Sequence, residues 1–283
     1  MKLIRFGTLG AECPGLILSS GRRIDASGFG SDYDETFFGG DGLVRLAEWA
    51  EKNGERAPAV GDDVRLGAPL CRPSKIVCMG LNYRDHAAET GAEVPTEPVV
   101  FMKATSAMCG PNDDVIIPRG STKTDWEVEL AVVIGRKATY VDERDAMDHV
   151  AGYVLHNDYS ERAFQLEHGT QWSKGKSCDT YAPLGPFLAT KDEVDVSNLD
   201  LWLDVNGVRK QTGNTKTFVF SVPVAVSYIS QFMSLLPGDI ISTGTPAGVG
   251  MGQKPPQYLK NGDVVSLGIS GLGEARQHLR AYP

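Results

Sequence analysis

The five cysteines of this chain, Cys13, Cys71, Cys78, Cys109 and Cys178, are scattered and odd in number, and none forms a CxxC pair. That spacing argues against a disulfide framework and a zinc site, and leaves reduced thiols in a cytoplasmic setting as the default. Basic residues are also short: 28 Lys and Arg stand against 36 Asp and Glu, a formal net charge of -8. With no basic excess to neutralise phosphates, nucleic acid is not expected as a partner. An anionic substrate would need a local cation, either a metal or a placed Lys or Arg. Long apolar runs are missing too. Stretches such as FVFSVPVAVSYI are too short or too interrupted to cross a bilayer, so no membrane partner is expected. MKLIRFGTLG has charges at Lys2 and Arg5 with no apolar stretch behind them, so no secretory leader is expected. There is no Walker loop, no GxGxxG turn in a βαβ unit, no internal repeat and no heptad pattern.

What is present is an ordinary globular composition, 41% hydrophobic and 23% charged over 283 residues, ample for a core. Residues 1–70 read as a small β-rich domain: KLIRFG, PGLILSSGRRID and DDVRLGAPL form short strands broken by Gly and Pro, with one helix over 41–53. A boundary near residues 70–73 leads into 71–283. There the strands are KIVCMGLN, PVVFMK, DVIIP, VELAVVIG, GYVLHND, LWLDVNG, DIISTG and DVVSLGI. Helices are expected over 83–90, 143–148, 160–167 and 222–234. Many short strands with turns between them predict an α+β, mainly β fold, a mixed β-sandwich or roll rather than a doubly wound sheet.

The chemistry begins at DWEVELAVVI, residues 125–134. In an extended chain Glu127 and Glu129 share one face, while Val128, Leu130, Val132 and Ile134 share the other. Ala131 and Val133 are apolar as well, so the strand becomes buried on both faces just beyond its acids. Two like charges there resist desolvation and call for a cation. Asp158 ends the apolar strand AGYVLHND and could join them, although capping a helix near Ser160 is the plainer reading. Three carboxylates with open positions suit Mg2+, and Asp125, on the glutamates' face, is a candidate outer partner. In GLNYRDHAAETG, His86 and Glu89 are three apart and share a helix face. A carboxylate beside an imidazole suits a general base acting on water, and Gly80 and Gly91 would let the segment move as a lid. Lys174 and Lys176 sit among glycines in an irregular loop, and PGDIISTGTPAGVGMG offers glycines and threonine hydroxyls to a carboxylate.

Together GLNYRDHAAETG, DWEVELAVVIG, NDYSERAFQ, KGKSCDTYAPLGP and PGDIISTGTPAGVG resemble, in order and over residues 76–272, the fumarylacetoacetate hydrolase family. The leading 70 residues resemble the small first domain of its bacterial branch, often labelled ureidoglycolate lyase. FMKATSAMCGPNDDV and GMGQKPPQYLK look most like hydrolases of 2,4-diketo-3-deoxy-L-rhamnonate and -fuconate. The resemblance implies a β-roll catalytic domain, a homodimer or higher homo-oligomer, and Mg2+ or Mn2+. It places the metal on Glu127, Glu129 and Asp158, makes His86 and Glu89 the lid dyad, and makes Lys176 a charge stabiliser. Gln165 would help hold an oxyanion, and Thr245, Lys103, Tyr159 and Arg162 would contact substrate. Tyr159 departs from the smaller residue common in that subgroup. The implied reaction is hydrolysis of a C–C bond in a 2,4-diketo acid, releasing pyruvate and, from a sugar acid, a hydroxy acid such as lactate. Ureidoglycolate lyase, oxaloacetate decarboxylase and 2-hydroxyhepta-2,4-diene-1,7-dioate isomerase activities are the alternatives on this fold. A non-catalytic metal-binding protein is the alternative of another class.

Overall fold

In the computed structural model, which describes residues 1–91 and 93–283, every residue of the strand Val128–Ile134 is buried. Its alternation explains why. Val128, Leu130, Val132 and Ile134 enter one core with Leu201, Leu203, Val265 and Leu267, while Ala131 and Val133 enter another with Ile76, Val154 and Leu188. Each large aliphatic side chain so buried contributes roughly 1.5–3 kcal/mol, so this strand joins two cores.

Around it lies a ten-stranded mixed sheet. Val150–Asn157 pairs antiparallel on one side and Ile240–Ser242 on the other. Beyond Ile240–Ser242 come Ile76–Gly80, parallel to it, and then Val99–Lys103, antiparallel. Beyond Val150–Asn157 come Leu188–Thr190 and then Lys2–Phe6, with Lys2 opposite Ala189. The strands of the first 70 residues thus continue the central sheet. Their apolar faces, with Tyr33, Phe37 and Leu46, fill the second core. The first core is closed by a five-stranded sheet that runs Val208–Asn214, Asp200–Val205, Val264–Ile269, Gly273–Ala281 and Val115–Ile117. The helix Val222–Ser230 also packs there through Val222, Val226 and Ile229. The architecture is α+β and mainly β, as the strand pattern predicts. No helix among the described residues is long and apolar enough to cross a membrane.

Several expected elements shift. The helix expected from Ser160 starts at Arg162, because Ser160 and Glu161 pair as a short strand with Thr124–Asp125. Its cap is Glu161, whose carboxylate accepts from the Ala163 N–H at 3.2 Å, so Asp158 is not a cap. Residues Glu143–His149 form a 3-10 helix, and the helix begun at Val222 stops at Ser230. Val208–Asn214 and Gly273–Ala281 have no apolar alternation to announce them: Gln211 is the one buried residue of the first, and Gln277 sits between Ala275 and Leu279 in the second.

Candidate active site

Register brings the acids together. Val128 lies opposite Asn157, and the Asp158 N–H donates to the Glu127 carbonyl at 2.9 Å, so the end of one strand folds back beside Glu127. One oxygen from each of Glu127, Glu129 and Asp158 lies within 4.8 Å of the others, and all three residues are buried.

Such a cluster requires compensating charge. Lys176 Nζ supplies it between two acids, 2.5 Å from Glu127 Oε2 and 2.8 Å from Asp158 Oδ2. Arg162 Nη2 donates to Glu127 Oε1 at 2.7 Å, and Lys103 Nζ lies 2.5 Å from Asp158 Oδ1. Burial works against ionising Glu127, but the charges of Lys176 and Arg162 outweigh it and hold its carboxyl below the usual range. Burial is likewise overcome at Asp158 by Lys103 and Lys176. Glu129 differs. Its Oε2 accepts from the Ser242 hydroxyl at 2.5 Å and the Gly244 N–H at 2.9 Å, both neutral donors. Burial, and then repulsion from Asp158 and Glu127, pushes its carboxyl well above the usual range. The protein therefore balances two of its three acids and leaves the third short of one positive charge. Three converging hard oxygens, with no sulfur or imidazole among them, are a donor set that suits Mg2+ or Mn2+ and differs from that of structural zinc.

His86 lies above this cluster on the helix Arg84–Thr90, with Nδ1 3.6 Å from Glu89 Oε2. Both Glu89 oxygens accept from the Gly248 N–H at 3.0 Å. Burial disfavours the charged form of Glu89, but the bonds from His86 and Gly248 keep its carboxyl below the usual range. His86, Glu127, Glu129, Arg162, Gln165, Lys176 and Thr245 line one cavity of about 190 Å3. Its remaining wall is apolar, built by Met79, Leu81, Phe101, Leu166, Trp172 and Met251 together with Gly80. Phe101 and Trp172 meet edge to face with centroids 5.4 Å apart.

Gln165 accepts from Arg162 Nη1 at 3.0 Å, which turns the donor end of its amide away from the arginine. Lys176, although buried, is held charged by Asp158 and Glu127 and cannot serve as a base at neutral pH. Two expected substrate contacts lie elsewhere. Lys103 is fully buried against Asp158 and the Tyr159 carbonyl, and Tyr159 directs its hydroxyl to Gln277 Oε1 at 3.2 Å. Neither is on the cavity wall: Lys103 is the buried end of the strand Val99–Lys103, and Tyr159, in the link between the strands Val150–Asn157 and Ser160–Glu161, packs into the first core. Lys174 bonds the His168 carbonyl at the surface. Three supports are not among the residues expected from the sequence. Ser242 holds Glu129, Asn157 Oδ1 accepts from the Glu127 N–H at 3.0 Å, and Gln211 ties Thr245 to the Val128 N–H. Asn157 directly precedes Asp158, which was its one clue.

Comparison with known proteins extends this picture. The family description "Fumarylacetoacetate (FAA) hydrolase C-terminal" matches residues 75–280. A protein of Burkholderia multivorans, named provisionally as a hydrolase, is 53% identical over 283 residues, 99% of each chain. The structure of a 5-carboxymethyl-2-hydroxymuconate delta-isomerase from Mycobacterium smegmatis is similar with a TM-score of 0.77 at 30% identity over 100% of both chains. That of maleylpyruvate hydrolase from Sphingobium sp. SYK-6, in complex with manganese(II) and pyruvate, has a TM-score of 0.82 at 28% identity, also over 100% of both chains.

Proposed function

The chain belongs to the fumarylacetoacetate hydrolase family, and from that membership we propose that it hydrolyses the C3–C4 bond of a 2,4-diketo acid, releasing pyruvate and a carboxylic acid. The observation that carries this reading is the cavity that Glu127, Glu129 and His86 line together, with Asp158 converging on the two glutamates and Glu89 beside the histidine. Glu127, Glu129 and Asp158 would hold Mg2+ or Mn2+. When bound, that ion supplies the Lewis-acid charge that fixes a 2-oxo acid by its carboxylate and ketone and disperses the negative charge of the departing fragment. His86, oriented by ionised Glu89, takes the proton of a water that attacks the C4 carbonyl. Gln165 and Lys176 donate to the oxygen that becomes negative at C4. The C3–C4 bond then breaks, and a proton returned to C3 completes pyruvate. A homodimer or larger homo-oligomer belongs to the same reading.

The apolar wall bears on the tail beyond C4. A sugar-acid tail would turn its hydroxyls toward Leu81, Phe101, Trp172 and Met251, and each hydroxyl left unpaired there costs about 1–3 kcal/mol. The wall therefore favours a diketo acid with an apolar acyl tail over the sugar acid expected from the resemblance. Isomerase, lyase or decarboxylase chemistry is the second reading, favoured by the isomerase among the structural neighbours. A pyruvate-release screen over acylpyruvates, diketo sugar acids, oxaloacetate and ureidoglycolate separates these readings. Release from acylpyruvates that His86→Ala abolishes supports hydrolysis. Turnover that survives loss of both His86 and Glu89 supports chemistry without an attacking water.

A further inference from the structure

Asp125 lies outside the acid cluster yet carries more ordered contacts than any of its members. It is fully buried, and each of its oxygens accepts two bonds. Oδ1 takes the N–H groups of Trp126 at 2.8 Å and Gly250 at 2.6 Å. Oδ2 takes the Met251 N–H at 3.0 Å and Arg162 Nε at 2.8 Å. Arg162 is the same guanidinium that grips Glu127. On its far side the 248–252 segment holds the lid: the Gly248 N–H bonds both oxygens of Glu89, and Gly252 approaches so closely that a Cβ there would lie 2.5 Å from Glu89 Cδ. A Cβ at Gly250 would lie 2.7 Å from Asp125 Oδ1, so the segment is pressed between the aspartate and the lid.

We propose that Asp125 is a positioning residue that couples the acid cluster to the His86–Glu89 pair through the 248–252 segment. The inference rests on reading that pair as the water-activating group. Hydrogen bonds run from Glu127 through Arg162 and Asp125 to the N–H groups of Gly250 and Met251, the covalent backbone carries the path back to Gly248, and the Gly248 N–H completes it to Glu89. Its effect is to set the height of Glu89, and with it His86, over the carboxylates. Charge neutralisation of Arg162 alone would need one oxygen of Asp125. The bonds from Gly250 and Met251, one on each oxygen, hold the segment under the lid.

The test uses the 283-residue chain free of metal and amide hydrogen exchange read on peptides covering 246–253 and 83–91. Asp125→Asn keeps one acceptor but sets an NH2 either against Arg162 and Met251 or against Trp126 and Gly250. Exchange is expected to rise several-fold in both peptides. Gly252→Ala perturbs the contact from the lid side and is expected to speed exchange in 83–91. With metal bound, Asp125→Asn should lower kcat about 10- to 100-fold with KM little changed, and its effect should be non-additive with Glu89→Gln. Faster exchange confined to 246–253, or full additivity of the two substitutions, would overturn the coupling. A wild type inert toward every 2,4-diketo acid would sink the hydrolase reading instead, and the exchange result would still decide the coupling.

Discussion

Glu129 offers a prediction that needs no substrate. Without metal it faces burial and two neighbouring acids with only neutral donors, so its carboxyl is raised well above the usual range. A carboxyl that binds its proton more tightly folded than unfolded lowers stability as pH rises from the unfolded value toward the folded one, because the native state holds the extra proton there. One such proton corresponds to a slope of about -1.4 kcal/mol per pH unit across that window. A divalent cation must displace the proton, so metal affinity should rise with pH over the same window, with close to one proton released per ion. Glu129→Gln is the uncharged isostere of the protonated state. It should leave the chelated protein at least as stable as wild type at pH 8, and flatten the slope. It should also remove the stabilisation by metal, which for wild type is about 2.7 kcal/mol at a hundred times Kd. Urea unfolding at several pH values, with EDTA or Mn2+, measures the slopes, and calorimetry in buffers of different ionisation heat counts the protons. Metal binding with no proton release and no pH dependence would refute the charge deficit assigned to this carboxylate.

Other outcomes follow from the same geometry. Lys176→Met strips the cation shared by Glu127 and Asp158 and should destabilise the chelated protein by about 3–5 kcal/mol in urea unfolding. Lys103→Met should weaken Mn2+ binding about 10- to 100-fold with KM little changed at saturating metal; a change confined to KM would return Lys103 to the substrate. Leu81 has φ 55, in the left-handed region, and its side chain lines the cavity. Leu81→Gly should therefore hold or raise the unfolding free energy, since a non-glycine there costs of order 1 kcal/mol or more, while lowering kcat/KM for apolar-tailed substrates more than for hydroxylated ones. Equal losses on both would show that the wall does not read the tail.

What the chain order reveals and hides has a physical pattern. The two glutamates are legible because period-two alternation puts both on one face of a strand whose other positions are apolar. Asp158 is legible as a strand end, but its place beside Glu127 depends on the Val128–Asn157 register, which no local pattern specifies. Lys103 reads as a ligand contact from its motif and becomes a support of Asp158 through the pleat of its own strand. Gln211 is silent because an edge strand with one buried residue leaves no periodic trace. The helix at Ser160 begins late because a two-residue strand pairing with Thr124–Asp125, remote in sequence, outcompetes the local cap. The strands of the first 70 residues read as a small β-rich unit, and their pairing with Leu188–Thr190 lies nearly the length of the chain away.

The central claim is that water attacks C4 of a 2,4-diketo acid, and isotope tracing tests it most directly. Metal-loaded enzyme turning over an apolar acylpyruvate in 18O-labelled water should place one 18O in the carboxylate of the acid derived from C4, and none in the carboxylate of pyruvate. An unlabelled acid, a product isomeric with the substrate, or carbon dioxide in place of the acid would contradict the account.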